Sequence, residues 1–115
     1  MKALASDFDG TLFFKDEKEP IRTKDKEAIK QFQKEGNLFG ICTGRPLIGL
    51  LNTLQNQIQC DFYILSTGAL IVDKDLKEIF SKPLDYDLAY DLWMQYKDIY
   101  NMVFQIDGKV YTLGN

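Results

Sequence analysis

Along this chain, short unbroken apolar runs alternate with stretches whose apolar residues recur every three or four positions. The two patterns predict strands and helices respectively. Residues 2–7, KALASD, are the first run and read as a buried strand. Ala28, Ile29 and Phe32 then form the apolar stripe of a helix over residues 23–35. Thr23 is placed to cap it, Asp25 and Glu27 fall in the favourable first turn, and Gly36 suits a left-handed stop. Residues 38–42, LFGIC, make a second buried strand. After Pro46, suited to a first helical position, Leu47, Leu51, Leu54 and Ile58 recur at helical spacing, and residues 62–65, FYIL, are a third strand. Between the first strand and the first helix, residues 8–22 are polar, and their run Asp16, Glu17, Lys18, Glu19 reads as a solvated loop.

Strand, helix, strand, helix, strand with short connections specifies an α/β fold: a parallel, Rossmann-like sheet with three strands and right-handed crossovers. The pattern then changes. Residues 70–72 and 78–80 flank a Lys/Asp turn and predict an antiparallel hairpin. A helix follows over residues 85–100, with Leu88, Leu92, Tyr96 and Ile99 along one face. Residues 102–106 and 109–113 flank Asp107-Gly108, a pair that favours the hairpin turn matching strand twist. The organisation expected is therefore a core over residues 1–82 and the beginning of an α+β module over 83–115. Trp93, Tyr96 and Tyr100 are read as packing residues of that second helix.

Composition narrows the function. At 115 residues the chain is one domain's worth, and 45% hydrophobic with 27% charged residues is usual for a soluble globular protein. A formal charge of -3 and a pI near 4.9 argue against nucleic-acid and anionic-membrane partners. No apolar run approaches membrane-spanning length, and the opening MKALASDFDG lacks a signal peptide's apolar stretch, so a cytoplasmic setting is expected. The chain has no histidine, which removes Ser-His-Asp and Cys-His nucleophile systems and every histidine-containing zinc site. Cys42 and Cys60 fall at opposite ends of neighbouring parallel strands, ~16 Å apart and beyond disulfide reach. Both are expected to be small buried apolar residues.

Candidate chemistry begins at SDFDGTLF, residues 6–13. Asp7 and Asp9 sit one residue apart at the end of a strand, so their side chains share a side and repel, by roughly 3–4 kcal/mol at an effective dielectric near 20. Beside Ala3, Leu4, Phe8, Leu12 and Phe13, that pair calls for a cation. In open parallel sheets, ligands bind beyond the carboxyl ends of the strands. Three such ends occur here: Asp7 to Thr11, Thr43-Gly44-Arg45, and Ser66-Thr67-Gly68. Their hydroxyls and glycine N–H groups make an anion-binding edge, compatible with two carboxylates once Mg²⁺ lies between. An EF-hand loop is excluded, because Leu12 stands where that loop requires glycine and Lys18 where it requires glutamate.

DFDGTL, followed by TGR after a second strand, resembles the haloacid dehalogenase superfamily of phosphotransferases. The hairpin after STGALI and the helix–hairpin that follows are similar to its Cof-like, class IIB phosphatases. The resemblance implies a Mg²⁺-dependent phosphatase of small phosphorylated metabolites, such as sugar phosphates, working through an aspartyl-phosphate. It implies that Asp7 is the nucleophile and a metal ligand, and that Asp9 is the acid–base with its main-chain carbonyl on the metal. Thr43, Gly44 and Gly10 would bind phosphate, and Arg45, Ser66 and Thr67 would contact substrate. The implied strand of Asp7 is central, with Thr43 at the end of its neighbour.

Two departures accompany the resemblance. Thr67-Gly68-Ala69 stands where such relatives usually carry Asn-Gly-Ala, and the family's later lysine and acidic metal loop have no match here. The chain is thus expected to be an N-terminal portion, to have little activity by itself, and to self-associate through an exposed sheet edge. The alternative reading is a truncated, non-catalytic module that binds or self-associates without turnover.

Overall fold

The computed structural model describes residues 1–107 and 109–112. The three apolar runs pair in chain order. β1 (Ala3–Asp7), β2 (Leu38–Cys42) and β3 (Phe62–Leu65) are parallel neighbours, and β4 (Leu70–Asp73) and β5 (Glu78–Ser81) extend the sheet antiparallel, giving the order β1-β2-β3-β4-β5. Both crossovers step the same way, through α1 (Thr23–Lys34) and α2 (Leu47–Leu54). Right-handed crossovers that step in one direction put both helices on one face of the sheet.

Register shows which residues meet them. Leu4 is opposite Phe39, Ser6 opposite Ile41, Ile41 opposite Tyr63, and Tyr63 opposite Val72, so these side chains share a face. Phe39, Ile41, Tyr63, Leu65 and Val72 join Ile29 of α1 and Leu50 and Leu54 of α2 in the buried core. The opposite face carries Ala3, Ala5, Leu38, Gly40, Cys42, Phe62, Ile64, Ile71 and Phe80, of which only Gly40 is buried. A parallel sheet is normally covered on both faces; this one is covered on one.

That asymmetry corrects three expectations. Residues 2–7 are not a buried strand, since β1 is an edge strand and Leu4 is half exposed. The strand of Asp7 is consequently not central in this sheet. Cys42 is exposed because it lies on the uncovered face, whereas Cys60 is buried as expected.

Helix starts differ from expectation by single steps. Arg22, not Thr23, occupies the cap position of α1, without a side-chain cap. The Thr23 hydroxyl donates instead to Glu19. Pro46 is the cap residue of α2 rather than its first helical residue. That helix stops at Leu54, because Gln55 and Asn56 turn left-handed at φ 47° and 59°, and Ile58 reaches the core from beyond it.

α3 (Tyr86–Tyr96) is shorter than the 85–100 expected. The Ile99 and Tyr100 N–H groups both turn back to the Tyr96 carbonyl, and no residue of α3 is buried. Tyr86, Tyr90 and Trp93 instead stack along it. β6 (Val103–Ile106) and β7 (Lys109–Thr112) form the expected antiparallel pair. Gly108 of its turn, and Leu113, lie outside the described residues.

Candidate active site

The turn after β1 hangs from one buried side chain. Phe8 is fully buried and stacks on Phe13 at 5.2 Å, while its carbonyl accepts from the N–H groups of Thr11, Leu12 and Phe13. Gly10 adopts φ +78°, which glycine tolerates at little cost, and donates its N–H to the Phe13 carbonyl at 2.9 Å. Gly10 therefore shapes the turn, and its N–H is engaged within the protein. With Phe8 drawn into the core, the flanking Asp7 and Asp9 remain accessible. Asp7 Oδ1 accepts from the Phe8 N–H at 3.0 Å, and the Ser6 hydroxyl donates to the Asp7 carbonyl.

A cation for one of the two aspartates, Asp9, is present in the chain. Arg45 Nε donates to Asp9 Oδ2 at 2.9 Å and its Nη2 to Oδ1 at 2.6 Å, a bidentate pair. The third arm, Nη1, donates to Thr53 Oγ1 at 2.8 Å, and that hydroxyl donates to the Gly49 carbonyl one turn back in α2. The guanidinium also lies 5.5 Å and 5.7 Å from the Phe8 and Phe13 ring centres. Hydrogen bonding from Arg45 holds the Asp9 carboxyl below its ordinary range, against the opposing effect of burial.

The second and third strand ends are tied together. Thr43 is buried, and its hydroxyl oxygen accepts from the Arg45 main-chain N–H at 3.1 Å. The Thr67 N–H donates to the Thr43 carbonyl, and the Ser66 N–H to the Arg45 carbonyl. Ser66 and Thr67 sit left-handed at φ 50° and 57°, consecutive non-glycine outliers of the kind that cluster at ligand sites. A Cβ on Gly44 would come 3.3 Å from the Thr67 hydroxyl. Among the described residues, the N–H groups of Asp9 and Gly44 and the hydroxyl proton of Thr43 have no protein acceptor.

All the residues singled out from sequence thus lie on the Asp7–Thr11, Thr43–Arg45 and Ser66–Gly68 turns, and register places Cys42, just before Thr43, beside Asp7. An open cleft of about 450 Å³, lined in part by Asp9, Gly10, Phe13 and Arg45, flanks the pair on the side of the 13–17 loop. Asp7 and Thr43 lie outside it. Sequence reasoning missed two residues. Thr53 was legible only as a hydroxyl within an apolar helix two turns after Arg45. Gln105, whose Nε2 donates to the Gly44 carbonyl at 3.3 Å, had no local signal at 61 positions' distance.

The Asp7 carboxylate and the Asp9 main-chain carbonyl are hard oxygen donors, and that carbonyl accepts no hydrogen bond among the described residues. No cluster of three or more His, Cys, Asp or Glu residues occurs among them. The residues fit part of a Mg²⁺ site.

A family model described as haloacid dehalogenase-like hydrolase matches residues 4–115. The chain belongs to the haloacid dehalogenase-like hydrolases. It is 36% identical over 106 residues to an uncharacterized protein of Mycoplasma capricolum, covering 89% of this chain and 40% of that protein. It is 27% identical over 117 residues to Phosphatase YwpJ of Bacillus subtilis, covering 100% of this chain and 40% of the relative. Among solved structures, a haloacid dehalogenase-like hydrolase from B. subtilis superposes with a TM-score of 0.80 at 27% identity, covering 100% of this chain and 40% of that one. A subclass IIB sugar phosphatase gives 0.77 at 26% identity, covering 97% and 44%. The chain spans about two-fifths of the length of these relatives. Among the described residues, no helix is long and apolar enough to cross a membrane.

Proposed function

We propose that residues 1–82 carry the phosphoryl-transfer part of a cytoplasmic, Mg²⁺-dependent phosphatase of small phosphorylated metabolites such as sugar phosphates. Residues 83–115 would begin its cap. The observation that carries this reading is the Asp7 carboxylate at the end of β1, beside a Thr43–Gly44 turn with a hydroxyl proton and an N–H to spare. Family membership and the phosphatases among its relatives support it. Mg²⁺, held by the Asp7 carboxylate and the Asp9 carbonyl, would offset the charge between carboxylate and phosphate dianion.

An Asp7 oxygen attacks phosphorus, the bond from phosphorus to the sugar oxygen breaks, and Asp9 gives that oxygen its proton. Asp9 then takes a proton from water, whose oxygen attacks the aspartyl-phosphate, releasing inorganic phosphate and regenerating Asp7. Thr43 and Gly44 donate to the phosphoryl oxygens throughout. Arg45 holds Asp9 ionised, which suits the second step and must be relieved for the first.

The second reading, a module that binds or self-associates without turnover, is favoured by the open edge of β1 and the uncovered apolar face. Steady-state assays separate the two in a protein that joins this chain to the remaining length its relatives possess. Asp7→Asn should abolish Mg²⁺-dependent hydrolysis of sugar phosphates, and Asp9→Asn should slow it ~10²–10⁴-fold. Unchanged hydrolysis by the Asp7 variant would remove the nucleophile assignment. The 115-residue chain by itself should show little turnover.

A further inference from the structure

Arg45 is expected from the family pattern to contact substrate, yet here all three faces of its guanidinium fork are used within the protein. Two N–H groups bind the Asp9 carboxylate, a third binds Thr53, and the plane rests by Phe8 and Phe13. An arginine that only awaited an anionic substrate would not need an acceptor on α2. Thr53 fixes the guanidinium from behind, and its own proton goes to the Gly49 carbonyl, so its oxygen is turned to accept from Arg45. The pair is only partly shielded, at 31% and 53% side-chain exposure, so its charges face the solvent from which a cation enters.

We infer that Arg45 is a positioning residue that serves as the site's intrinsic counter-ion. It neutralises the Asp9 carboxylate, and its charge opposes Mg²⁺ held by the Asp7 carboxylate and the Asp9 main-chain carbonyl, with Thr53 fixing the guanidinium where it does so. The inference rests on the reading of Asp7 as a metal ligand, and two signals distinguish the failure of each. Repulsion between Arg45 and an incoming divalent ion opposes binding; removing the arginine charge also returns the full Asp9 charge to the site. The sign of the effect is therefore diagnostic. Loss of a merely structural arginine would weaken Mg²⁺ binding, whereas loss of a counter-ion tightens it.

The test uses the ¹⁵N-labelled 115-residue chain, followed by NMR with Mg²⁺ alone as the probe. Without Mg²⁺, the Arg45 Nε–H should give a resolved, solvent-protected signal that is absent from Asp9→Asn and weakened in Thr53→Val. An Arg45 signal that exchanges like a free guanidinium would overturn the clamp. On titration, the Asp7 amide and the Arg45 Nε–H should shift at a common midpoint. Arg45→Gln should lower that midpoint roughly 3–10-fold, and Thr53→Val should lower it by less. An unchanged or raised midpoint in a folded Arg45→Gln variant would overturn the opposition while leaving the metal reading intact. No response to Mg²⁺ in any of the proteins would overturn the opposition and the metal reading together.

Discussion

Gly40→Ala is a single-methyl change whose cost follows from the packing of β2 against β3. A Cβ at Gly40 would fall 2.2, 2.3 and 2.6 Å from the Cε2, Cδ2 and Cζ atoms of Phe62, its registered partner on the uncovered face. No Cβ tolerates such contacts, so the ring must move. Among the described residues nothing covers that face, and the ring can swing toward solvent rather than break the strand. The swing forfeits roughly 40–60 Å² of apolar contact, or about 1–1.5 kcal/mol. An unfavourable rotamer adds about 0.5–1.5 kcal/mol. Alanine returns about 0.5–1 kcal/mol by restricting the unfolded chain. The net loss is about 0.5–2.5 kcal/mol, which for a domain of this size lowers Tm by roughly 2–12 °C. Circular dichroism melts of the wild type, Gly40→Ala, Phe62→Ala and the double variant form the assay. Once Phe62 is truncated, Gly40→Ala should be neutral or stabilising. An unchanged or higher Tm for Gly40→Ala alone would refute the reasoning.

Burial pushes the Cys60 thiol up to about 12, while Cys42 is exposed on the open face. Brief treatment with iodoacetamide near pH 8 should therefore alkylate Cys42 alone, as read by peptide mass mapping; equal labelling of Cys60 would contradict the core. The Arg45–Asp9 pair gives an acid limb whose sign is fixed. Asp9 has a lower pKa folded than unfolded, so the pair's stability is present above the unfolded value and lost as pH falls through the folded one, below about pH 4. Because the pair is half exposed, urea titrations should show only about 0.2–1 kcal/mol lost between pH 7 and pH 3 beyond that of Asp9→Asn. A steeper loss in Asp9→Asn would reverse the argument.

Periodicity made the elements legible because LFGIC and FYIL are apolar at every position, the pattern of strands inside a sheet. KALASD was read as the same kind of strand despite Lys2, Ser6 and Asp7, yet β1 is exposed. Burial of a strand depends on what pairs beside it and packs over it, and neither is written in the strand itself. Cys42 was misread for the same reason, since its exposure is a property of the uncovered face. In the candidate site, strand-end position in the sequence put Asp7, Asp9 and Thr43 on adjoining turns, and the structure has them there. The partner of Asp9 was not legible, for Arg45 reaches it across 36 positions and depends on a rotamer anchored by Thr53. The cue was electrostatic: a cation was expected at the aspartates, and the arginine of TGR supplies one to Asp9.

The central claim is that Asp7 takes the phosphoryl group. It is tested most directly by mapping the phosphorylated residue. A protein joining this chain to the remaining length of its relatives would be mixed with Mg²⁺ and a sugar phosphate, quenched in acid within the first turnover, and digested for mass spectrometry. The account predicts phosphate on Asp7 alone, absent when Mg²⁺ is withheld. Phosphate on Asp9, or rapid turnover with no phosphorylated aspartate, would contradict it.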